Sequence, residues 1–298
     1  MMDEILKLDS ITQYNSMRGV ETLHPLVSVV DMSNATPAQS ARIHFGFYCV
    51  FLKEVNCGDL KYGCNYYDYQ EGTLVFVAPG QIVGVTSKEI IQPKGWALLF
   101  HPDLIRGTSL GHNIKDYTFF SYEVNEALHL SEKEKQIVID CLNKIEYELE
   151  QSIDKHSKTL ISNNIELLLN YCMRFYDRQF ITRSNVNKDI LVKFENLLDN
   201  YFQSEIPQTV GLPTVKYFAD HLHLSPNYFG DLIKKETGKS AQEHLQLRLM
   251  NIAKERMFDT SKTVSEIAYE LGFKHPQHFS RMFKNETGYT PVEYRSLN

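Results

Sequence analysis

The feature that most constrains this chain of 298 residues is an internal repeat in its last third. The stretch LSPNYFGDLIKKETGKS (224–240) is matched by KHPQHFSRMFKNETGYT (274–290), at an offset of 50. Upstream, Ala219 matches Ala268 at an offset of 49, and the pattern continues in register. Each copy reads as a short helix, a tight turn and a second helix, so the sequence predicts two copies of one structural unit.

The helices of the two copies have clear start signals. Ser225–Pro226 and His275–Pro276 each place an N-cap residue before a proline at the first helical position, although His275 is the poorer cap. A capping box at Thr263–Glu266 opens the first helix of the second copy. A single helix over roughly 241–258 joins the copies.

The second helix of each copy has an apolar face and a polar face. A polar face that carries amide, hydroxyl and guanidinium groups suits the major groove, where Gln binds adenine and Arg binds guanine. Such a face is commonly only solvated, but two copies in register on one connecting helix favour double-stranded DNA as the partner. The candidate DNA-binding residues are Asn227, Tyr228, Gly230, Asp231 and Lys234 in the first copy and Gln277, His278, Ser280, Arg281 and Lys284 in the second.

The two copies differ at their matched middle positions, which are Gly230 and Asp231 in one and Ser280 and Arg281 in the other. Asp231 is unfavourable near phosphates unless it is paired, and it could accept a hydrogen bond from cytosine. Gly weakens a helix by about 1 kcal/mol, yet it permits close approach of the backbone to a groove. We therefore expect the second helix to read DNA by charge and the first by shape or through cytosine.

The stretch AKERMFDTSKTVSEIAYELGFKHPQHFSRMFKNETGYTPVEYR (253–295) resembles the signature of the AraC/XylS family of bacterial transcription regulators. The marks are IA-x-x-x-GF at Ile267–Phe273, FSRMFK at 279–284 and G-x-x-P-x-x-YR at 288–295. The resemblance implies two helix-turn-helix motifs, at about 213–237 and 263–287, which bind one face of DNA.

The resemblance also implies that Arg281 approaches DNA and that RNA polymerase is a partner, because activation of transcription is the habit of the family. At the first motif the family usually has a small polar residue followed by Arg. This chain has Gly230 and Asp231 there, which puts base reading by the first helix in doubt.

The first 125 residues read as short strands separated by turns, which is typical of an antiparallel barrel or sandwich. We expect strands within 42–52, 65–81 and 95–105. The stretch GTLVFVAPGQ (72–81) resembles the cupin-like arm of the same family, in which a barrel senses a small molecule. The expected fold is therefore α+β: an N-terminal antiparallel β-barrel with a helical hairpin, then an all-α domain of two helix-turn-helix motifs.

Helical periodicity begins at a capping box, Ser131–Glu134, and continues as two amphipathic helices over about 131–180. Their spacing suits packing against a second copy of the chain, as in a homodimer, and packing against the barrel is the alternative. The polar segment 183–188 is the predicted linker between a sensor domain at 1–182 and a DNA-binding domain at 189–298. The latter is expected to open with a helix at 189–203.

A few residues of the first half are candidates for binding a small-molecule effector. Arg42 and His44 lie beside an aromatic strand and could meet an acidic ligand inside the barrel, although an outward-facing polar pair is equally compatible with the pattern. The aromatic residues Tyr48, Tyr66 and Trp96 could line a pocket, but aromatic side chains in strands are more often part of the core.

Charge does not by itself identify a nucleic-acid-binding protein in this chain. The net charge is -6, whereas residues 188–298 hold 14 Lys plus Arg and 14 Asp plus Glu, so the DNA-binding prediction depends on pattern.

The five cysteines are odd in number, fit no zinc motif and read as reduced thiols; they are Cys49, Cys57, Cys64, Cys141 and Cys172. The acidic start and the absence of a long apolar run predict a cytoplasmic protein without a membrane span.

Catalytic motifs are missing from the sequence, which has no GxSxG, P-loop or GxGxxG. Metal-dependent cupins need several histidines, and His44 stands alone in its strand. We therefore expect no enzyme activity, no metal and no cofactor. Two alternatives remain open: a regulator whose N-terminal domain only dimerises or binds a protein, and a cupin-type enzyme with a DNA-binding tail.

Overall fold

In the computed structural model, the apolar segments of the first half form two β-sheets. The structure describes residues 5–37, 41–54, 59–62, 65–67, 72–86, 92–123, 126–182 and 184–297. The strands are β1 (Ile5–Leu8), β2 (Val27–Asp31), β3 (Ala41–Phe45), β4 (Tyr48–Lys53), β5 (Asp59–Tyr62), β6 (Asn65–Tyr67), β7 (Thr73–Val77), β8 (Ile82–Thr86), β9 (Gly95–Phe100) and β10 (Leu128–His129). One sheet has the order β1-β3-β8-β5-β6, and the other has the order β10-β7-β4-β9-β2.

The core of this half lies between the two sheets. Ile43 and Phe45 of β3 pack in one buried cluster with Cys49 of β4 and Leu99 of β9. Because side chains alternate along a strand, the neighbours of these residues lie on the opposite faces of the sheets. The opposite face of the second sheet is also buried, which explains why β7 is buried throughout and its four apolar residues, Leu74 to Val77, do not alternate with polar ones.

Three features differ from the expected antiparallel barrel. Strand β1 pairs in parallel with β3, with Ile5 opposite Arg42, because the chain crosses over through a helix and β2 before it returns. The segment 42–52 is two strands, since Gly46 bends the chain where a Cβ would lie 3.0 Å from the Asp9 backbone. No ladder between the described strands joins the two sheets into a closed barrel.

Helices complete this half of the chain. They are α1 (Ile11–Arg18), α2 (Pro102–Ile105), α3 (Ser109–Asn113), two 3₁₀ turns (Ile114–Asp116 and Thr118–Ser121), α4 (Glu132–Glu150) and α5 (Ser157–Thr182). The capping box at the start of α4 is confirmed, because the Ser131 hydroxyl accepts from the Glu134 amide and the Glu134 carboxylate accepts from the Ser131 amide. Helices α4 and α5 pack together as the predicted hairpin.

The chain divides into two compact units, Met1–Thr182 and Arg183–Asn298. The described part of the second unit is helical: α6 (Ser184–Gln203), α7 (Ile206–Val210), α8 (Val215–His221), α9 (Pro226–Thr237), α10 (Ala241–Met257), α11 (Val264–Glu270), α12 (Pro276–Thr287) and α13 (Pro291–Leu297). None of the helices in the described ranges is long and apolar enough to cross a bilayer.

Helix α6 begins at Ser184, so residues 184–188, which we expected in an irregular linker, are helical. The polar sequence of this turn is explained by a tertiary contact. Asn187 is buried, and its Nδ2 donates to Oε1 of Glu236 in α9 at 3.1 Å. A buried amide with a partner is stable inside a protein, but the pattern of one segment does not reveal the partner.

The two predicted helix-turn-helix units correspond to α8–α9 and α11–α12, and α10 connects them. Phe229 of α9 and Phe279 of α12 occupy matched positions and are both fully buried. The capping box at Thr263–Glu266 is confirmed, and hydrogen bonds from the Thr263 amide and hydroxyl lower the pKa of Glu266. The internal repeat of the sequence is therefore a repeat of structure.

The turns of the two units use different residues at their left-handed position. Gly272 has φ 93° in the second turn, whereas the matched residue of the first turn is His223, with φ 57°. A Cβ on Gly272 would lie 2.4 Å from the carbonyl oxygen of Gly211. His223 is exposed, so the first turn tolerates a side chain that the second turn excludes.

We expect Gly272→Ala to destabilise the fold by at least about 2 kcal/mol more than Gly238→Ala, in urea unfolding followed by circular dichroism. Gly238 is the matched control, because its φ of 75° is also left-handed while a Cβ there would meet nothing within 4 Å. The difference between the two variants therefore measures the contact with Gly211. Equal losses would show that the close approach does not constrain the turn.

Candidate DNA-binding surface

Helix α12 presents a polar face over an apolar anchor. Phe279 and Phe283 are fully buried, while Gln277, Arg281 and Lys284 are exposed. His278 is exposed as well, and Ser280 is partly buried. As the sequence indicated, His275 is a weak cap, since its side chain makes no capping hydrogen bond. All five candidates of the second copy thus lie at least partly at the surface of one helix.

Helix α9 has the same anchor but a different free face. Phe229, Leu232 and Ile233 are fully buried. Asn227 and Lys234 are exposed, and Gly230 and Asp231 are partly buried. These last four candidates therefore lie on the free face.

Tyr228 is the exception among the candidates of α9. The structure buries it to 5% exposure, so its expected place on the DNA-binding face is wrong. Tyr228 precedes Leu232 by four residues, and side chains at that spacing share one face of a helix, which here is the packed face.

Gly230 occupies an unusual place for a helical glycine. A Cβ at this position would meet nothing within 4 Å, so no neighbour in the described chain requires glycine there. Glycine in a helix interior costs stability relative to alanine. A partly buried helical glycine without a packing reason is consistent with a partner that approaches the backbone of α9 closely.

The charges of the two free faces also differ. Arg281 and Lys284 of α12 have no ion-pair or hydrogen-bond partner within the described residues, so both are available to an anionic partner. Asp231 of α9 does engage another group of the protein. Helix α12 is therefore the more cationic surface of the two.

Sequence reasoning missed the residues that hold the ends of the helices. Capping boxes open α10 and α13 at Ser240–Glu243 and Thr290–Glu293, which match at the repeat offset of 50. The alignment of Glu243 with Glu293 was the signal that would have identified them. In both cases the glutamate pKa is lowered by its hydrogen bonds to the capping residue.

Arg295, the arginine of the YR mark, has a structural role. Its Nε donates to the carbonyl of Met257 at 3.0 Å, and its Nη1 donates to that of Lys262 at 2.9 Å. Its Nη2 also reaches the carbonyl of Asp259 at 3.3 Å. Arg295 thus closes the C-terminal end of α10, and a motif residue that identifies the domain need not contact DNA.

The effector candidates of the first unit do not converge. Arg42 and His44 alternate with Ile43 and Phe45, which face the core between the sheets, so both point away from that core. Nδ1 of His44 is enclosed and has no partner among the described residues. This placement matches the outward-facing alternative.

The aromatic candidates lie on the other sheet. Tyr48 stacks on Phe100 with ring centroids 5.0 Å apart and meets Phe120 edge-on, and burial raises the pKa of its hydroxyl. Trp96 follows the same alternation in β9 and is partly buried. The side chain of Tyr66 lies outside the described residues, as do Cys57 and Cys64. Cys49, Cys141 and Cys172 are free, buried thiols.

Two helix-turn-helix units with solvent-exposed polar helices define a DNA-binding protein of the transcription-regulator class. A family model described as "Helix-turn-helix domain" matches residues 218–296. The Transposon Tn10 TetD protein of Escherichia coli is 33% identical over 144 residues, which cover 48% of this chain and 91% of TetD. The uncharacterized transcriptional regulatory protein YesN of Bacillus subtilis is 41% identical over 78 residues, which cover 26% of this chain and 21% of YesN. The chain belongs to the AraC family of transcription regulators.

A solved structure also resembles part of this chain. The C-terminal domain of AraT, a response regulator from Geobacillus stearothermophilus, is a solved structure with 28% identity and a TM-score of 0.33, and the match covers 37% of this chain and 85% of that one. For three of the curated relatives, the chain spans only 14% to 34% of their length. The activities and partners of those whole proteins are therefore not assigned to this chain.

We expect Gly230→Ala to raise the unfolding free energy by about 0.5–1 kcal/mol, since alanine is the better helix former and has space there. The same change should weaken DNA binding, because a methyl group would hold the helix away from the groove. Urea unfolding and DNA titration of one preparation give both values. A gain in stability with unchanged DNA affinity would refute close approach at Gly230.

Proposed function

We propose that α9 and α12 enter successive major grooves of one DNA site, and that α12 reads sequence through Arg281. The observation that carries the proposal is the unpaired cationic face of α12, which is held by two fully buried phenylalanines. Arg is suited to bidentate contact with guanine, whereas Lys284 near the end of the helix suits a phosphate. Helix α9 contributes by shape, through Gly230, or through a contact of Asp231 with cytosine.

We expect Arg281→Ala and Lys284→Ala to weaken DNA binding in different ways. Loss of a base contact should cost about 1–3 kcal/mol and relax the preference at one base pair. Loss of a phosphate contact should weaken all sequences alike and reduce the salt dependence by about 0.9 in log–log slope. The measurement is a titration, at several salt concentrations, of DNA selected from a random pool by the unaltered protein.

Random DNA of the same length is the control in both titrations. If Arg281→Ala loses the same affinity for selected and for random DNA, Arg281 contacts a phosphate and does not read a base. If the selection enriches no sequence, the proposal of sequence-specific binding fails.

We also propose that the first unit forms a homodimer through α5. Leu160, Asn164, Leu167 and Tyr171 follow each other at spacings of four, three and four residues, which is the seam of a coiled coil. Both leucines are at least 40% exposed although they are apolar. Asn164 falls between them at a position where a polar residue specifies the register of a dimer.

The separation of the effector candidates favours dimerisation over binding of a small molecule between the sheets. Arg42 and His44 lie on one sheet and Tyr48 and Trp96 on the other, so they do not line one pocket. A small-molecule or protein partner of this unit stays an alternative, and RNA polymerase stays the partner that family membership suggests.

The full chain should sediment as a dimer, and Leu167→Glu should weaken that dimer by roughly 3 kcal/mol or more. Each buried leucine contributes about 1.5–3 kcal/mol, and the substitution changes both subunits. Sedimentation velocity over a concentration series gives the dissociation constant. Val192→Glu is the control, because Val192 is an exposed apolar residue of α6. A monomeric parent chain, or equal effects of the two variants, would disprove a seam at α5.

A further inference from the structure

A groove of about 710 Å³ runs along one flank of α12, within the second unit. Its walls are α10, the segment after α7 and α12 itself. This volume lies within the range of small-molecule sites, about 300–1,000 Å³. The groove lies on the side of α12 that carries Met282, and it shares His278 and Arg281 with the proposed DNA-binding face.

The floor of the groove is apolar and rich in sulfur. Met250 of α10, Met282 of α12 and Phe273 line it together with Val210 and Leu212. Val210 is 60% exposed, and Met282, which we expected on the packed face, is only partly buried. Thioethers adapt to irregular surfaces and interact favourably with aromatic rings. The floor therefore suits an aromatic body.

The charges on the rim are segregated along the groove. Lys274 precedes α12, His278 lies in its first turn and Arg281 lies in its middle, whereas Glu286 lies near its C-terminal end, five residues after Arg281. All four are exposed, and none has an ion-pair partner within the described residues. The positive end of the α12 dipole adds to the cationic end of the groove. An anionic group is therefore complementary to this end and unfavourable at the other.

We propose that this groove binds an aryl carboxylate, with its ring over Met250 and Met282 and its carboxylate against Arg281. Because Arg281 also belongs to the proposed DNA-binding face, the ligand and DNA compete for one guanidinium. The groove would then be a site at which a small acid weakens DNA binding by the second helix. This regulatory consequence depends on the proposed function, whereas binding of the acid does not.

The first experiment is isothermal titration of the full chain with 4-phenylbutyrate in the absence of DNA. We expect a dissociation constant of about 0.1–1 mM, as is usual for a ligand of this size. Arg281→Met should weaken binding about tenfold, because a charged hydrogen bond is lost. The alcohol 4-phenylbutanol, which keeps the ring but not the charge, should be weaker by a similar factor.

Two tryptophan variants on α10 test whether the acid binds in this groove. Gln246 is exposed and lines the groove, so Gln246→Trp should fill the groove and abolish binding. Leu247 is also exposed but does not line it, so Leu247→Trp is the matched control and should bind as the parent does. No heat at millimolar acid, or binding that survives both Gln246→Trp and Arg281→Met, would overturn the proposal.

The second experiment adds DNA. With the parent chain, 4-phenylbutyrate should lower the affinity for selected DNA, and in Gln246→Trp it should have no effect on the DNA affinity. If the chain binds the acid but not DNA, the proposed DNA-binding function fails, whereas the proposal that the groove binds the acid is upheld. If it binds DNA with an affinity that the acid leaves unchanged, competition for Arg281 is refuted.

Discussion

Everything in the second unit depends on how α10 is fixed. Its 17 residues make a rod of about 25 Å, and both helix-turn-helix units pack on it. A capping box holds its first turn, and the guanidinium of Arg295 holds the carbonyl of Met257, its last residue. Arg248 pairs with Asp199 of α6 at 2.7 Å, and Arg256 donates to the carbonyl of Phe202. A helix secured at both ends and along its side can keep α9 and α12 at a constant distance.

The symmetry that α10 imposes is incomplete, and the exceptions have separate physical reasons. Gly272 is required because the backbone near Gly211 closes over it, whereas the matched residue His223 is exposed. The difference between the free faces of α9 and α12 has no such reason within the protein, since no neighbour in the described chain demands glycine at position 230. The first difference therefore concerns folding, and the second concerns a partner.

Much of the second unit was predictable because its determinants are local. Caps, prolines and apolar spacing lie within a few residues of each other, so Ser225, Thr263 and Phe279 have the roles that the sequence indicated. The failures involve long-range contacts. Residues 184–188 read as a linker because the partner of Asn187 is Glu236, far along the chain. Tyr228 was misplaced because a tyrosine tolerates either face of a helix.

The first unit was harder to predict for the same reason. Which strand lies beside β3 depends on pairing across tens of residues, so the parallel partner β1 left no mark in the sequence of either strand. The sequence offered Arg42 and Tyr48 as separate effector candidates, and the structure places them on different sheets, where the alternation of side chains directs each away from the core between the sheets. A site formed by two sheets can be assigned only after their registers are known.

Arg281 links recognition to regulation in the second unit. It lies at the border of α12 between the face that carries Gln277 and Lys284 and the flank that carries Met282. A guanidinium is always charged and can form bidentate pairs with a carboxylate or a phosphate, so the same side chain serves either partner but not both at once. A regulator built this way needs no movement of α12 to lose affinity for DNA. On the proposal that α12 reads sequence through Arg281, the acid only has to occupy this one guanidinium.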